Sequence, residues 1–233
     1  MKNHVQRIIA AVVIAFALQS HPASAQALVG AVTVPPVPTE ILVPAGNTVF
    51  LKGSAIGTQN YICQSSATGF FWKFIAPQAT LFINFRVGPY ETSQQIATHF
   101  LSPNPVEDGT PRPTWQGSAD TSVVWGKAVA SSTDPAYVAP GAIPWLLVQI
   151  VGAERGPMGG SLLSEATYIH RVNTSGGVAP STGCSAAANV GALALVRIRR
   201  TITSIKRSNE APQRHKGTRL CVFVVDNMPQ IHE

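Results

Sequence analysis

Apolar residues in this chain come in short runs broken by glycine and proline. None of the runs carries the 3.6-residue period of an amphipathic helix. Strand candidates fall at Thr48–Lys52, Ser54–Cys63, Gly69–Phe74, Thr80–Val87, Gln95–Leu101, Thr121–Ala130, Trp145–Gly152 and Thr167–Asn173. The segment Trp145–Val151 is almost continuously apolar and is flanked by Pro144 and Gly152, which suits a central strand. Gly69–Phe74 is dense in aromatic side chains, which favour a pleated, half-buried surface. Ser102–Pro113 holds four prolines and reads as irregular, and Ser185–Val196 reads as a short helix or a loop entering a last strand. The pattern predicts about eight to ten short strands, hence an all-β, single-domain antiparallel sandwich or barrel with long loops and little helix.

The two ends depart from this pattern. Lys2 and Arg7 precede an apolar run of eleven residues, Ile8–Leu18, and Ala23-Ser24-Ala25 follows. Residues 1–25 therefore read as a secretory signal peptide, too short for a stable membrane span, with the mature chain starting at Gln26. The expected location is secreted, periplasmic or cell-surface, with no membrane span after cleavage. Residues 26–42 form a proline-rich lead-in, extended or flexible.

Charge also divides the chain. The whole carries +6, but residues 26–196 sum to −1 and residues 197–233 to +5. The basicity belongs to the tail and not to a patch on the body, which argues against nucleic acid as a partner. Charged residues make up only 12% of the chain, so a buried core is expected rather than wholesale disorder.

There are three cysteines, and two of them, Cys63 and Cys184, lie in the body. In an exported protein these are expected to pair, closing a loop of roughly 120 residues; two buried free thiols are the alternative. No Cys-x-x-Cys or close His pair suggests a metal, and no cofactor motif is present.

Several segments carry a resemblance. They are Gly57-Thr58-Gln59-Asn60-Tyr61-Ile62-Cys63, Phe71-Trp72, Ala79-Thr80-Leu81-Phe82, Thr98-His99-Phe100, Pro113-Thr114-Trp115, Ala142-Ile143-Pro144-Trp145-Leu146-Leu147 and Arg171-Val172-Asn173-Thr174 through Gly183-Cys184. In this order they resemble an exported family known only as domain of unknown function 3455, over about residues 43–196. The resemblance implies a compact β-rich domain with two cysteines and brings no activity with it. This chain departs from the family in two places. Residues 83–94 are longer than the family's tight turn and read as a lengthened hairpin loop. After Val196 the family closes with an aromatic strand resembling Val-Pro-Tyr-Thr-Ala-Asp-Tyr-x-Phe-Tyr, where this chain has Arg-Ile-Arg-Arg-Thr-Ile-Thr-Ser-Ile-Lys. Codons for residues 197–207 can be chosen whose neighbouring frame reads Tyr-Thr-Ala-Asp-Tyr-Tyr-Phe-Tyr-Gln-Ala. Residues 197–233 therefore read as a basic, frameshifted and disordered tail, leaving a sheet edge exposed.

Candidate chemistry is sparse. His99 is the best single candidate, as a general base or ligand contact, although a hydrogen-bonded loop histidine is the commoner case. His170 alternates with Tyr168 on a strand, and Asp120 and Asp134 are available carboxylates. No Gly-x-Ser-x-Gly elbow or phosphate loop is present. The expected function is a non-catalytic extracellular or cell-surface binding domain for a ligand or envelope component, contacted by Gln59, His99 and Trp115. The alternative is a secreted hydrolase using His99 with a carboxylate such as Asp120. A structural role without a small ligand is a third possibility.

Overall fold

The computed structural model describes residues 34–209; the expected signal peptide, most of the lead-in and the tail beyond 209, with Cys221, lie outside the described residues. Eight antiparallel strands close into a barrel in simple chain order. They are β1 (Asn47–Ser66), β2 (Gly69–Val87), β3 (Tyr90–Asn104), β4 (Thr110–Gly117), β5 (Val123–Ser132), β6 (Trp145–Glu154), β7 (Ala166–Val172) and β8 (Leu193–Ser208). Of the two expected architectures the barrel is the one formed. The strands at the N-terminal side are long, with 20 residues in β1 and 19 in β2.

Every strand sends side chains into one core. Ala55, Leu81, Ala97, Trp115, Val124, Val148, Ile169 and Ile205 come from β1 to β8 in turn and pack together. Inward alternation follows the ladder: Leu81 lies opposite Ala55 and Ala97, and Ile169 lies opposite Val148 and Ile205. Close approach depends on missing side chains at two inward positions. A Cβ on Gly57 would collide with the Gln78 carbonyl and Ala79, and one on Gly126 would run into Val148 and the Trp115 ring.

A second cluster sits on the outside. Leu147 and Val172 face away from the barrel axis and are covered by Ile41, Val138 and Trp145. Thr39–Ile41 forms a short 3₁₀ turn whose Ile41 is fully buried, so this part of the lead-in is packed structure and not a flexible approach. Beneath it, His170 Nε2–H donates to the Ile41 carbonyl (2.6 Å), and Lys206 Nζ donates to His170 Nδ1 (2.6 Å).

The expected tail boundary is corrected. Residues 193–208 are one strand that pairs with β1 from Ile62 back to Asn47, and with β7 on its other side. The missing aromatic ending and the tail's separate charge misled, whereas Ile198 and Ile205, within the first twelve residues of 197–233, are buried in the strand. No exposed edge is left at this position; the ladder is closed. Two further expectations change. Residues 83–94 are not a loop: Ile83–Val87 pairs with Tyr90–Gln94 across a two-residue Gly88-Pro89 turn, making a projecting hairpin. Most of Ser102–Pro113 is also paired, with Pro103 opposite Pro111.

The Cys63–Cys184 disulfide forms, with Cα atoms 5.5 Å apart and a sequence separation of 121. It ties the end of β1 to the loop before β8. Tyr61 Oη donates to the Gly177 carbonyl (2.7 Å), and Trp72 Nε1–H donates to that of Thr182 (3.0 Å), so this loop is held at three points.

Two outcomes follow for stability. Replacing both bridge cysteines (Cys63→Ser with Cys184→Ser) should cost about 2–4 kcal/mol in urea unfolding. Lys206 is buried and no acid among the described residues acts on it; burial pushes its amine down to about 8. Lys206→Gln keeps a donor for His170 and removes the desolvated charge, so the same measurement should show a gain of about 1 kcal/mol or more at neutral pH.

Candidate functional site

One mouth of the barrel is not filled. A cavity of about 370 Å³ opens there, bounded by Phe74, Leu101, Pro113, Ala128 and Leu146 on its walls. Its floor is the layer where β3 and β4 lie side by side. His99 and Trp115 are direct partners in that ladder, and their rings stack at 4.1 Å with 14° between planes. Gln59 and Tyr61 reach the cavity from β1, and Arg171 from β7.

The histidine is held in one state. Its Nδ1 lies 2.9 Å from the Thr114 carbonyl, which can only accept, so Nδ1 carries the proton and Nε2 keeps the lone pair. Burial, reinforced by the nearby Arg171 charge and only partly opposed by the Thr114 bond, pushes His99 down to about 4. The ring is therefore neutral at pH 7. Trp115 is only 4% exposed, so it supports the floor and stiffens His99 rather than offering a free stacking face.

Among the described residues Arg171 is the one cation lining the cavity. It sits opposite Leu146 and Thr203 on the inward face, and its Nη2 donates to the Pro144 carbonyl (2.8 Å). Its Nε is buried without a partner. Burial pushes its guanidinium down to about 10, against a smaller opposing pull from Tyr61. The same side chain borders a small void behind the floor with Gln59, His99, Trp115, Thr201 and Thr203. Neither lining contains a carboxylate among the described residues.

The structure thus brings together Gln59, His99 and Trp115, the three residues expected to contact a ligand. It does not bring Asp120 to them. Asp120 lies in the turn between β4 and β5, where its Oδ1 accepts from Ser122 N (3.1 Å) and Ser122 Oγ (2.8 Å), and its Oδ2 from Leu162 N (2.6 Å). Burial of this carboxyl is outweighed by those bonds, which hold it below the usual aspartate range. It pins the loop after β6 to the opposite strand connection. Asp134 likewise caps its own turn, accepting from Ala136 N (2.8 Å). His170 is on the outer face under Ile41, away from the cavity lining.

Arg171 and Tyr61 went unmarked in the sequence. One signal was available for the arginine: it follows Ile169 at a spacing of two, which puts a charge on the strand face of an apolar residue. Among the described residues no group of three or more His, Cys, Asp or Glu side chains forms a metal site.

These features define a small antiparallel β-barrel with a disulfide-braced apolar cup at one mouth. The chain belongs to the family described as Protein of unknown function (DUF3455), whose model matches residues 44–194. No curated protein and no solved structure matches it.

The two buried imidazoles make stability pH-dependent. His99 and His170 are both pushed down to about 4, His170 by burial first and by Lys206 second. As pH falls from about 6.5 to 4 the unfolded chain binds protons at these sites and the folded chain does not, so stability falls across that window. Urea midpoints between pH 7 and 4 should decline, and His170→Gln should flatten the slope.

Proposed function

We propose that this protein is an exported, non-catalytic barrel that holds one small, largely apolar molecule in the cup between Gln59, His99 and Trp115. The observation that carries the reading is the cavity itself. It is concave, walled by apolar side chains and floored by a few fixed polar groups, as small-molecule sites are. An eight-stranded barrel is about the size that leaves room for one small ligand. Export is supported by the apolar N-terminal segment and by a disulfide that persists in oxidising compartments.

Little supports the hydrolase reading. A histidine base needs an orienting acid or a nucleophile within reach. His99 instead gives its Nδ1 proton to a backbone carbonyl, and no carboxylate lines the cup among the described residues. The frameshift reading of residues beyond 196 stands as a proposal about the gene. It is supported by buried Thr201 and Ser204, whose hydroxyls have no partner, and by buried Lys206 in a closing strand. Resequencing tests it.

The functional test is a titration of the secreted protein with neutral and charged amphiphiles, read by tryptophan fluorescence and calorimetry. Saturable one-to-one binding is expected, weakened at least tenfold by Ala128→Phe, which obstructs the mouth. Absence of binding across the panel, or binding indifferent to that substitution, sinks the reading. Ester hydrolysis that disappears in His99→Ala would favour the enzyme instead.

A further inference from the structure

We infer that the molecule taken by the cup is an organic anion, a carboxylate on a medium-chain or aryl body, with Arg171 as its anchor. The inference rests on the cup being a ligand site and adds the chemistry of the ligand.

A guanidinium stays ionised in a protein, so burying one demands a counter-charge or a full set of acceptors. Arg171 has neither. It gives Nη2 to one carbonyl, that of Pro144, while its Nε finds no acceptor. Its neighbours cannot balance it. Gln59 is neutral, and the Tyr61 hydroxyl is already engaged as a donor to Gly177. His99 is neutral too, with a lone pair and no negative charge. Three salt bridges occur among the described residues, at Arg86–Glu91, Arg112–Glu107 and Arg207–Glu165, and none involves Arg171. This cation therefore borders a cavity with its charge uncompensated by any acid of the lining.

The planar guanidinium fork matches a carboxylate in two-point geometry. The Gln59 amide lines the same cavity and offers a further donor. The walls specify the rest of the ligand. Phe74, Pro77, Leu101, Pro113 and Val148 present apolar surface, so the body attached to the carboxylate is hydrocarbon or aromatic rather than sugar-like. A volume of about 370 Å³ lies near the small end of ligand sites and excludes large lipids with two chains. Inorganic anions would meet the charge and leave the apolar walls uncovered.

The test compares decanoate with decanol, which share a chain and differ in the head, on the full secreted protein near neutral pH by calorimetry. Decanoate should bind at least tenfold more tightly. In Arg171→Gln the affinity ratio should collapse to near one. Thr201→Asp places an internal carboxylate beside the same void and should collapse the ratio in the same way, which covers a failure of the first variant to fold. Equal affinities in the unaltered protein overturn the inference while leaving the cup as a ligand site. A preference that survives both substitutions also overturns it, because the anchor is then elsewhere. If neither amphiphile binds, the cup reading fails and the inference with it.

Discussion

The pairing of β8 with β1 is the constraint from which the remaining architecture follows. A sheet of eight strands with two free edges would expose long rows of unpaired backbone groups. Here the last strand returns along almost the full length of the first, from Leu193 opposite Ile62 to Ser208 opposite Asn47. The other side of β8 takes β7, so the closing strand is bonded on both flanks. Closure fixes which face of each strand is interior. That choice separates Val148 from Leu147 and Arg171 from His170, sending one of each pair into the barrel and the other under the N-terminal segment.

Closure also explains why the cup exists. The interior is filled unevenly along its axis. One end has Leu81, Val124, Ile169 and Ile205, with Leu163 folded in beside them. The middle is occupied by the His99–Trp115 stack. The small residues Gly57 and Gly126 let β1 and β5 approach their neighbours closely there. Beyond the stack, Pro77, Pro113, Ala128 and Pro144 supply short side chains, and the volume stays open. The loop carrying Gly177 lies against Gln59 and Ile143, and the disulfide and the Tyr61 bond keep it there. The rim is therefore braced by covalent and hydrogen-bonded links rather than by loop packing alone.

Much of this was legible in the sequence. Short apolar runs broken by glycine and proline located most strands, the two body cysteines indicated the bridge, and the motif residues Gln59, His99 and Trp115 do share one cavity. What escaped the sequence was long-range or averaged. The closing strand was hidden because it departs from the family's aromatic ending, and its apolar residues Ile198, Ile202 and Ile205 show no period-two alternation among the charges around them. The proline-rich stretch around Pro103 and Pro111 looked irregular, yet there β3 and β4 pair only with each other, an edge position that proline tolerates. Asp120 was a candidate only as an available carboxylate that a His99 base could use. Its actual work is backbone capping at Ser122 and Leu162, forty-two residues apart from the second partner, a distance no local pattern displays.

Two desolvated cations, the buried Lys206 and the half-buried Arg171, show how one strand pair can use positive charge in opposite ways. Lys206 and Arg171 both lose solvation, and among the described residues neither has an acid beside it. Lys206 is sealed on the outer face, where it donates to His170 and, through that ring, steadies the contact with Ile41. Its amine can shed its proton within reach of ordinary pH, so its burial has a local remedy. Arg171 has no such remedy, because even after burial its guanidinium remains ionised at neutral pH. A charge that cannot be discharged is tolerable only where something can come to it. Of the two positions, the one that holds the arginine is the one that borders open space.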